Sequence, residues 1–271
     1  IYYSAIVARF TLDKIKERIV FEVNDVEFRF KGGKVGLNQM NFAYESGHLV
    51  GIMGASGAGK TTLLNVLNGS ETPTHGSVKV NGFDIHRQSQ EVEGLIGFVS
   101  QDDLLIEELT VFQNLYYNAK LCFSNFSEGR IQQSVERVLS DLGLNDIRDL
   151  RVGSLTNKII SGGQRKRLNI GLELLREPGI LFVDEPTSGL SSADSLMVMK
   201  LLKEQANNGR LVVSTIHQPS SKVFRLLDSL WVLDRGGYPI YTGNPIESLS
   251  YFKSQIGWVN PPRGDAHSVV A

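Results

Sequence analysis

Cysteine is almost missing from this chain: Cys122 is the single one among 271 residues. That excludes an internal disulfide and any cysteine-rich metal cluster, and a reducing compartment is the simple reading. Cys122 itself lies in an apolar stretch and is expected to be a small core residue. Long apolar runs are missing too. No uninterrupted stretch reaches the roughly 20 residues that a bilayer-spanning helix needs. Charge of one sign is not in excess, since 28 Lys and Arg stand against 29 Asp and Glu, for a formal net charge of −1. A dedicated nucleic-acid surface is therefore not expected. His48, His75, His86 and His267 are scattered and do not have the spacing of a metal site. There is no internal repeat and no low-complexity stretch. An initiator methionine is also lacking, and the chain reads as a piece of a longer protein. The opening run Ile1-Tyr2-Tyr3-Ser4-Ala5-Ile6-Val7 has no basic region before it. It is not a signal peptide, and a docked terminal segment is expected.

What is present is enough apolar material, 41% of the residues, to bury a large core in one large domain or two lobes. Phe21 and Val23, then Val26, Phe28 and Phe30 on the opposite phase, read as a strand with a slip near Asn24-Asp25. Lys31-Gly32-Gly33 is a turn, and residues 76–82 form a further strand and turn. Ile96-Gly97-Phe98-Val99 ends at Ser100-Gln101. Between about 102 and 160 the pattern turns helical. Thr110 and Gln113 have capping-box spacing, and Ile131, Val135, Val138, Leu139 and Leu142 line one helix face until Gly143. Apolar strands resume at 180–183, 211–215 and 230–233, with helices at about 193–207 and 221–228. Strands alternating with helices predict a largely parallel sheet. The tail after about 243, with Pro245, Pro261 and Pro262, reads as loosely structured.

Chemistry enters at residues 54–61, Gly54-Ala55-Ser56-Gly57-Ala58-Gly59-Lys60-Thr61, which fit the phosphate-loop pattern G-x-x-x-x-G-K-[ST]. The apolar run 49–53 precedes them as a strand, and Thr62 to Leu67 follow as a helix. Gly54, Gly57 and Gly59 let the main chain wrap around anionic oxygens. Amides near Gly57 to Thr62 and the helix N-terminus add a positive field. Lys60 is expected to reach the β- and γ-phosphates, and the Thr61 hydroxyl to hold Mg²⁺.

Two further constellations fit. Strand 180–183 ends in Asp184-Glu185, which puts two carboxylates at the carboxyl edge of the sheet beside the phosphate loop. Asp184 suits Mg²⁺, and Glu185 suits the orientation and deprotonation of an attacking water. Ser161-Gly162-Gly163-Gln164 opens another helix and makes a second anion site. One nucleotide does not need two such sites in one subunit, so the second is expected to serve a partner's nucleotide.

With these motifs in order, and with Gln101 and His217 at plausible spacings, the chain resembles the nucleotide-binding domain of an ABC transporter over about residues 20–245. The runs 161–167, 184–190 and 216–220 resemble the G subfamily, the white/drug-resistance half-transporters. The resemblance implies an α/β fold: a P-loop NTPase core with a largely parallel sheet, an antiparallel β subdomain and an inserted α-helical subdomain at about 102–165. It implies an N-terminal extension at 1–18, the ATPase domain at 19–245, and a tail at 246–271 leading to a membrane domain. It implies ATP and Mg²⁺ as ligands, and a Mg-dependent ATPase that drives transport, with export favoured. By the same resemblance, Gln101 touches the Mg²⁺ or the attacking water, with Thr61 and Asp184 as the other metal-site residues. His217 contacts the γ-phosphate and Glu185. Ser161, Gly162, Gly163 and Gln164 clamp ATP held by a second nucleotide-binding domain in a homo- or heterodimer. Phe30, with Phe28 second, is the candidate for stacking on adenine, and either can instead be core. The implied location is the cytoplasmic face of a membrane.

There are two departures from the pattern. Ser191 stands where the family usually has Asp after Ser-Gly-Leu, in a loop that crosses the dimer interface, and Phe stands at the adenine position in place of the commoner Tyr. Arg165-Lys166-Arg167 reads either as a phosphate or membrane-surface patch or as a solvated first helical turn. Asp102-Asp103 and Glu107-Glu108 read as an exposed acidic loop near the membrane-domain contact. The alternative function is a soluble ABC ATPase in translation or DNA repair, and a third is a regulatory module that binds nucleotide without turnover.

Overall fold

The computed structural model describes residues 18–255, apart from 155, 156 and 158. The opening run, most of the expected extension and the end of the tail lie outside the described residues. Two sheets organise the chain. The smaller is antiparallel, in the order β2-β1-β4-β5, from β1 (Val20–Arg29), β2 (Val35–Glu45), β4 (His75–Val80) and β5 (Phe83–Asp84). The slip expected in β1 is real. Register shifts occur between Val23 and Val26, and Asp25 turns into the left-handed region at φ 54°.

The larger sheet has the order β10-β9-β3-β8-β7-β6. Its strands are β3 (Leu49–Gly54), β6 (Ile96–Val99), β7 (Ile180–Val183), β8 (Leu211–Thr215), β9 (Ser229–Asp234) and β10 (Tyr238–Gly243). All neighbours run parallel except the β9–β10 hairpin. Every residue of β7 and β8 is buried. Continuous apolar strands of this kind are what a parallel sheet covered on both faces requires.

Helices α1 (Lys60–Leu67), α2 (Val111–Cys122), α3 (Glu128–Asp141), α4 (Gly162–Leu174), α5 (Ser192–Asn207), α6 (Ser221–Phe224) and α7 (Pro245–Gln255) complete the described fold. Thr110 caps α2 in a reciprocal box with Gln113. Helix α3 buries Ile131, Val135, Val138 and Leu139 against a core shared with α2, α4, α5 and the larger sheet. A second core lies between the two sheets and α1, where Phe21 of β1 meets Phe182 of β7 edge-on at 5.8 Å.

Three local expectations are corrected. The segment from Pro245 is a helix to Gln255, because proline at the first helical position loses no intrahelical hydrogen bond. Helix α6 is a single turn that stops at Phe224. Cys122 is half-buried at the end of α2, where its sulfur accepts from Arg176 Nε at 3.2 Å.

His86 follows β5, and its ring is half-buried. Its Nε2 is buried without a hydrogen-bond partner among the described residues. Burial pulls its pKa below the ordinary 6.5, against the pull of Asp84. The folded state therefore resists protonation that the unfolded chain accepts, so this group costs stability as pH falls below about 6.5. Thermal unfolding between pH 7.5 and 5 should show a steeper acid-side loss of Tm for the native chain than for His86→Gln. Parallel curves would remove His86 as a contributor.

Candidate nucleotide site

Strand order decides where the chemistry gathers. Along β3-β8-β7-β6 all strands are parallel, so their carboxyl ends share one edge of the sheet. There β3 delivers residues 54–61, β8 delivers His217, β7 delivers Asp184 and Glu185, and β6 delivers Gln101. The sequence-predicted residues from four strands thus reach one edge, where ligands of open α/β sheets bind.

The loop itself is built for an anion. Gly57 (φ 76°) and Gly59 (φ 99°) take conformations that disfavour a side chain, and a Cβ at Gly57 would meet nothing, leaving the main chain bare to solvent. At Gly59 it would meet the Gly36 carbonyl at 2.8 Å. Helix α1 has no side-chain cap at Gly59 and no acidic residue in its first turn, so the positive field of its N-terminus is not internally cancelled. Lys60 is buried, and its Nζ donates to the carbonyls of Gly54 at 2.9 Å and Ala55 at 3.1 Å. Ala55, Ser56 and Thr61 are exposed, Thr62 is half-buried and Ala58 is packed beneath the loop.

Asp184 is buried, and its Oδ1 accepts from the Thr215 hydroxyl at 2.6 Å. The same Thr215 oxygen accepts from the Glu185 amide at 2.7 Å. Glu185 adopts φ 44°, unusual for a residue with a side chain. Gln101 and His217 are exposed on the loops after their strands. Phe28 is core, whereas Phe30 is 43% exposed and rests edge-on against Phe28 at 5.1 Å. Only Phe30 of the pair keeps a face for a ligand.

The expected second anion site, at residues 161–164, differs. Ser161 caps α4, its hydroxyl accepting from Gln164 N at 3.2 Å while Gln164 Oε1 accepts from Ser161 N at 2.7 Å. The Gln164 side chain is thus turned back on its own helix. Ser161 is exposed, Gly162 is half-buried and Gly163 is buried. A side chain at Gly163 would collide with the Asp194 carboxylate of α5, so the glycine permits close packing of α4 on α5.

The ABC transporter family model matches residues 37–188. The chain belongs to that family. It is 36% identical to ABC transporter G family member 28 of Arabidopsis thaliana over 96% of this chain and 24% of that protein. It is 42% identical to ABC transporter G family member 25 of Oryza sativa subsp. japonica over 80% of this chain and 22% of that one. Among solved structures it is similar to cbiO1 from Clostridium perfringens, part of the ABC transporter complex cbiONQ. The TM-score there is 0.76 at 26% identity, over 89% of this chain and 94% of that chain. The chain spans about a quarter of the length of these curated relatives.

This chain is an ABC-type ATPase domain, similar over most of its length to G family members. The soluble alternative finds no support, since the relatives and the solved neighbour are named as transporters or transporter parts. No helix among the described residues is long and apolar enough to cross a membrane.

Sequence reasoning missed three side chains in this ABC domain. Arg165 and Lys166 are buried, contrary to both readings of the basic run. Successive residues on a helix point about 100° apart, and α4 is packed on several sides. Arg165 pairs with Asp103 through Nε at 3.0 Å, and Lys166 Nζ donates to the Gln101 carbonyl at 2.8 Å. Burial pulls Lys166 below the ordinary lysine value, partly offset by Asp103, Asp184, Asp102 and Glu185. Asp103 is thus tied to α4 and does not belong to a free acidic loop. Thr215 is the third, and its polar character inside a buried apolar strand was the available signal. At the family's Asp position, Ser191 caps α5, accepting from Asp194 N at 3.1 Å.

Proposed function

We propose that this domain energises a membrane transporter by hydrolysing Mg-ATP between two copies packed head to tail. The observation that carries the reading is the convergence of the phosphate loop, Asp184-Glu185, His217 and Gln101 on one sheet edge by way of four parallel strands. Magnesium fits the residues present. The Thr61 hydroxyl is exposed at the head of α1, and Thr215 occupies only one oxygen of Asp184. Among the described residues no three His, Cys, Asp or Glu side chains form a metal cage, which suits a cation that takes most of its ligands from phosphate and water. Bound there with Gln101 as third contact, the ion would neutralise developing charge on the β- and γ-phosphate oxygens.

The chain's own groups then divide the work. Residues 54–62 bind the phosphates through amides and the Lys60 ammonium, and Phe30 offers its face to adenine. Glu185 takes a proton from the water whose oxygen attacks the γ-phosphorus, as the bond to the ADP oxygen breaks. His217 orients the γ-phosphate and Glu185. The exposed Ser161 and the amides at the head of α4 complete the site of the opposite subunit. A membrane domain in the same polypeptide or in a partner subunit receives the motion, which places this domain at the cytoplasmic face.

Complementation tests the head-to-tail arrangement. Lys60→Ala removes one half of the composite site and Ser161→Arg blocks the other, so each variant alone should release little phosphate from ATP. Mixed, they form one dimer arrangement with an intact phosphate loop facing an intact Ser-Gly-Gly turn, and turnover should reappear. A mixture no more active than its parts would refute the shared site.

A further inference from the structure

We propose that Thr215 is a positioning residue for hydrolysis: its hydroxyl locks Glu185 and Asp184 into one arrangement on the end of β7. This rests on the reading of Glu185 as the proton acceptor. A hydroxyl has one proton to give. Here it goes to Asp184 Oδ1 at 2.6 Å, so the bond with the Glu185 amide, at 2.7 Å, uses the oxygen as acceptor. One atom thereby determines the carboxylate that faces the cation and the main chain that carries the base.

The location makes the arrangement rigid. Thr215 is fully buried, so water does not replace its hydroxyl. It ends β8, hydrogen-bonded in the sheet between β3 and β7, and stands two residues before His217. The Glu185 backbone it holds is in the left-handed region, at φ 44°, a conformation that persists only where its surroundings enforce it. In the described structure the Thr215 oxygen is the acceptor for that amide. Without it, the peptide has reason to relax toward ordinary geometry and carry the carboxylate away from the water it must deprotonate. A displacement of about 1 Å can cost on the order of 10²-fold in rate.

The test compares the native chain with Thr215→Val, Thr215→Ser, Glu185→Gln and the double variant T215V/E185Q. It reads kcat and KM by phosphate release, single-turnover rates and Tm. Valine keeps the shape and removes the hydroxyl. It should lower kcat about 10- to 100-fold with KM changed less than about twofold. Serine keeps the hydroxyl and should hold kcat within about threefold. On the Glu185→Gln background, valine should cost far less than on the native one, because most of its effect runs through Glu185 and only the Asp184 bond remains to be lost. Native kcat in Thr215→Val, serine as damaging as valine, or a full multiplicative loss in the double variant would each overturn the proposal. Should valine prevent folding, Thr215→Ala against Thr215→Ser carries the same comparison. Glu185→Gln alone reports on the base, so native turnover there would refute that reading separately from Thr215.

Discussion

Glu185→Gln should leave ATP affinity intact or tighter while lowering turnover by about 10²- to 10⁴-fold, the range that one general base contributes. The amide has nearly the size of the carboxylate, and the main-chain bond from Glu185 N to Thr215 is unaffected by the change. The fold around β7 is therefore expected to survive. What is lost is a group able to take the proton from water. A negative charge near the γ-phosphate is lost as well, so the ATP complex should be favoured. Since hydrolysis is what reopens the proposed dimer, the variant should accumulate as an ATP-bound dimer. Phosphate release and size exclusion with ATP check both parts. Unchanged turnover would remove Glu185 as the base.

The contrast between Glu185 and Thr215 shows where reading the sequence stops. The phosphate loop is legible because each of its residues answers a local demand: glycine for the turn, lysine for charge, threonine for an oxygen donor. Asp184 and Glu185 are legible because an apolar strand running into two acids is chemically conspicuous. The slip at Asp25 and the box at Thr110 are legible for the same reason, since both are settled by neighbours in the chain. Thr215 lies 31 positions from Asp184, and only the pairing of β7 with β8 brings them together. Arg165 and Lys166 fail differently. Charge predicts exposure, yet both are buried because Asp103 and the main chain at Gln101, more than 60 positions earlier, supply their partners. Helix α7 was hidden by a proline whose effect depends on its position. Pairings set by topology are invisible to periodicity, and here they carry the second layer of the site.

Lys60→Ala should abolish nucleotide binding or nearly so, and the structure separates two causes. The ammonium is the only side-chain cation in residues 54–62, and charge-assisted bonds to phosphate are among the strong ones. Loss of about 3 kcal/mol, or roughly 10²-fold in affinity, is the expected minimum from charge alone. Lys60 also draws the carbonyls of Gly54 and Ala55 together, so the empty loop should loosen as well. Lys60→Met keeps the packed stem and removes the ammonium, with its charge and its bonds to both carbonyls. If the ammonium dominates, through its charge or its carbonyl bonds, Met and Ala lose binding alike; if packing of the buried stem holds the loop, Met binds measurably better. Thermal shift reads the same point independently. Saturation at 1,000 times Kd stabilises a fold by about 4 kcal/mol, so Mg-ATP should raise the Tm of the native chain by several degrees and that of Lys60→Ala, at the same concentration, by about a third of that or less. A native-sized shift in Lys60→Ala would mean that ATP is held elsewhere, and the loop at 54–61 would lose its role.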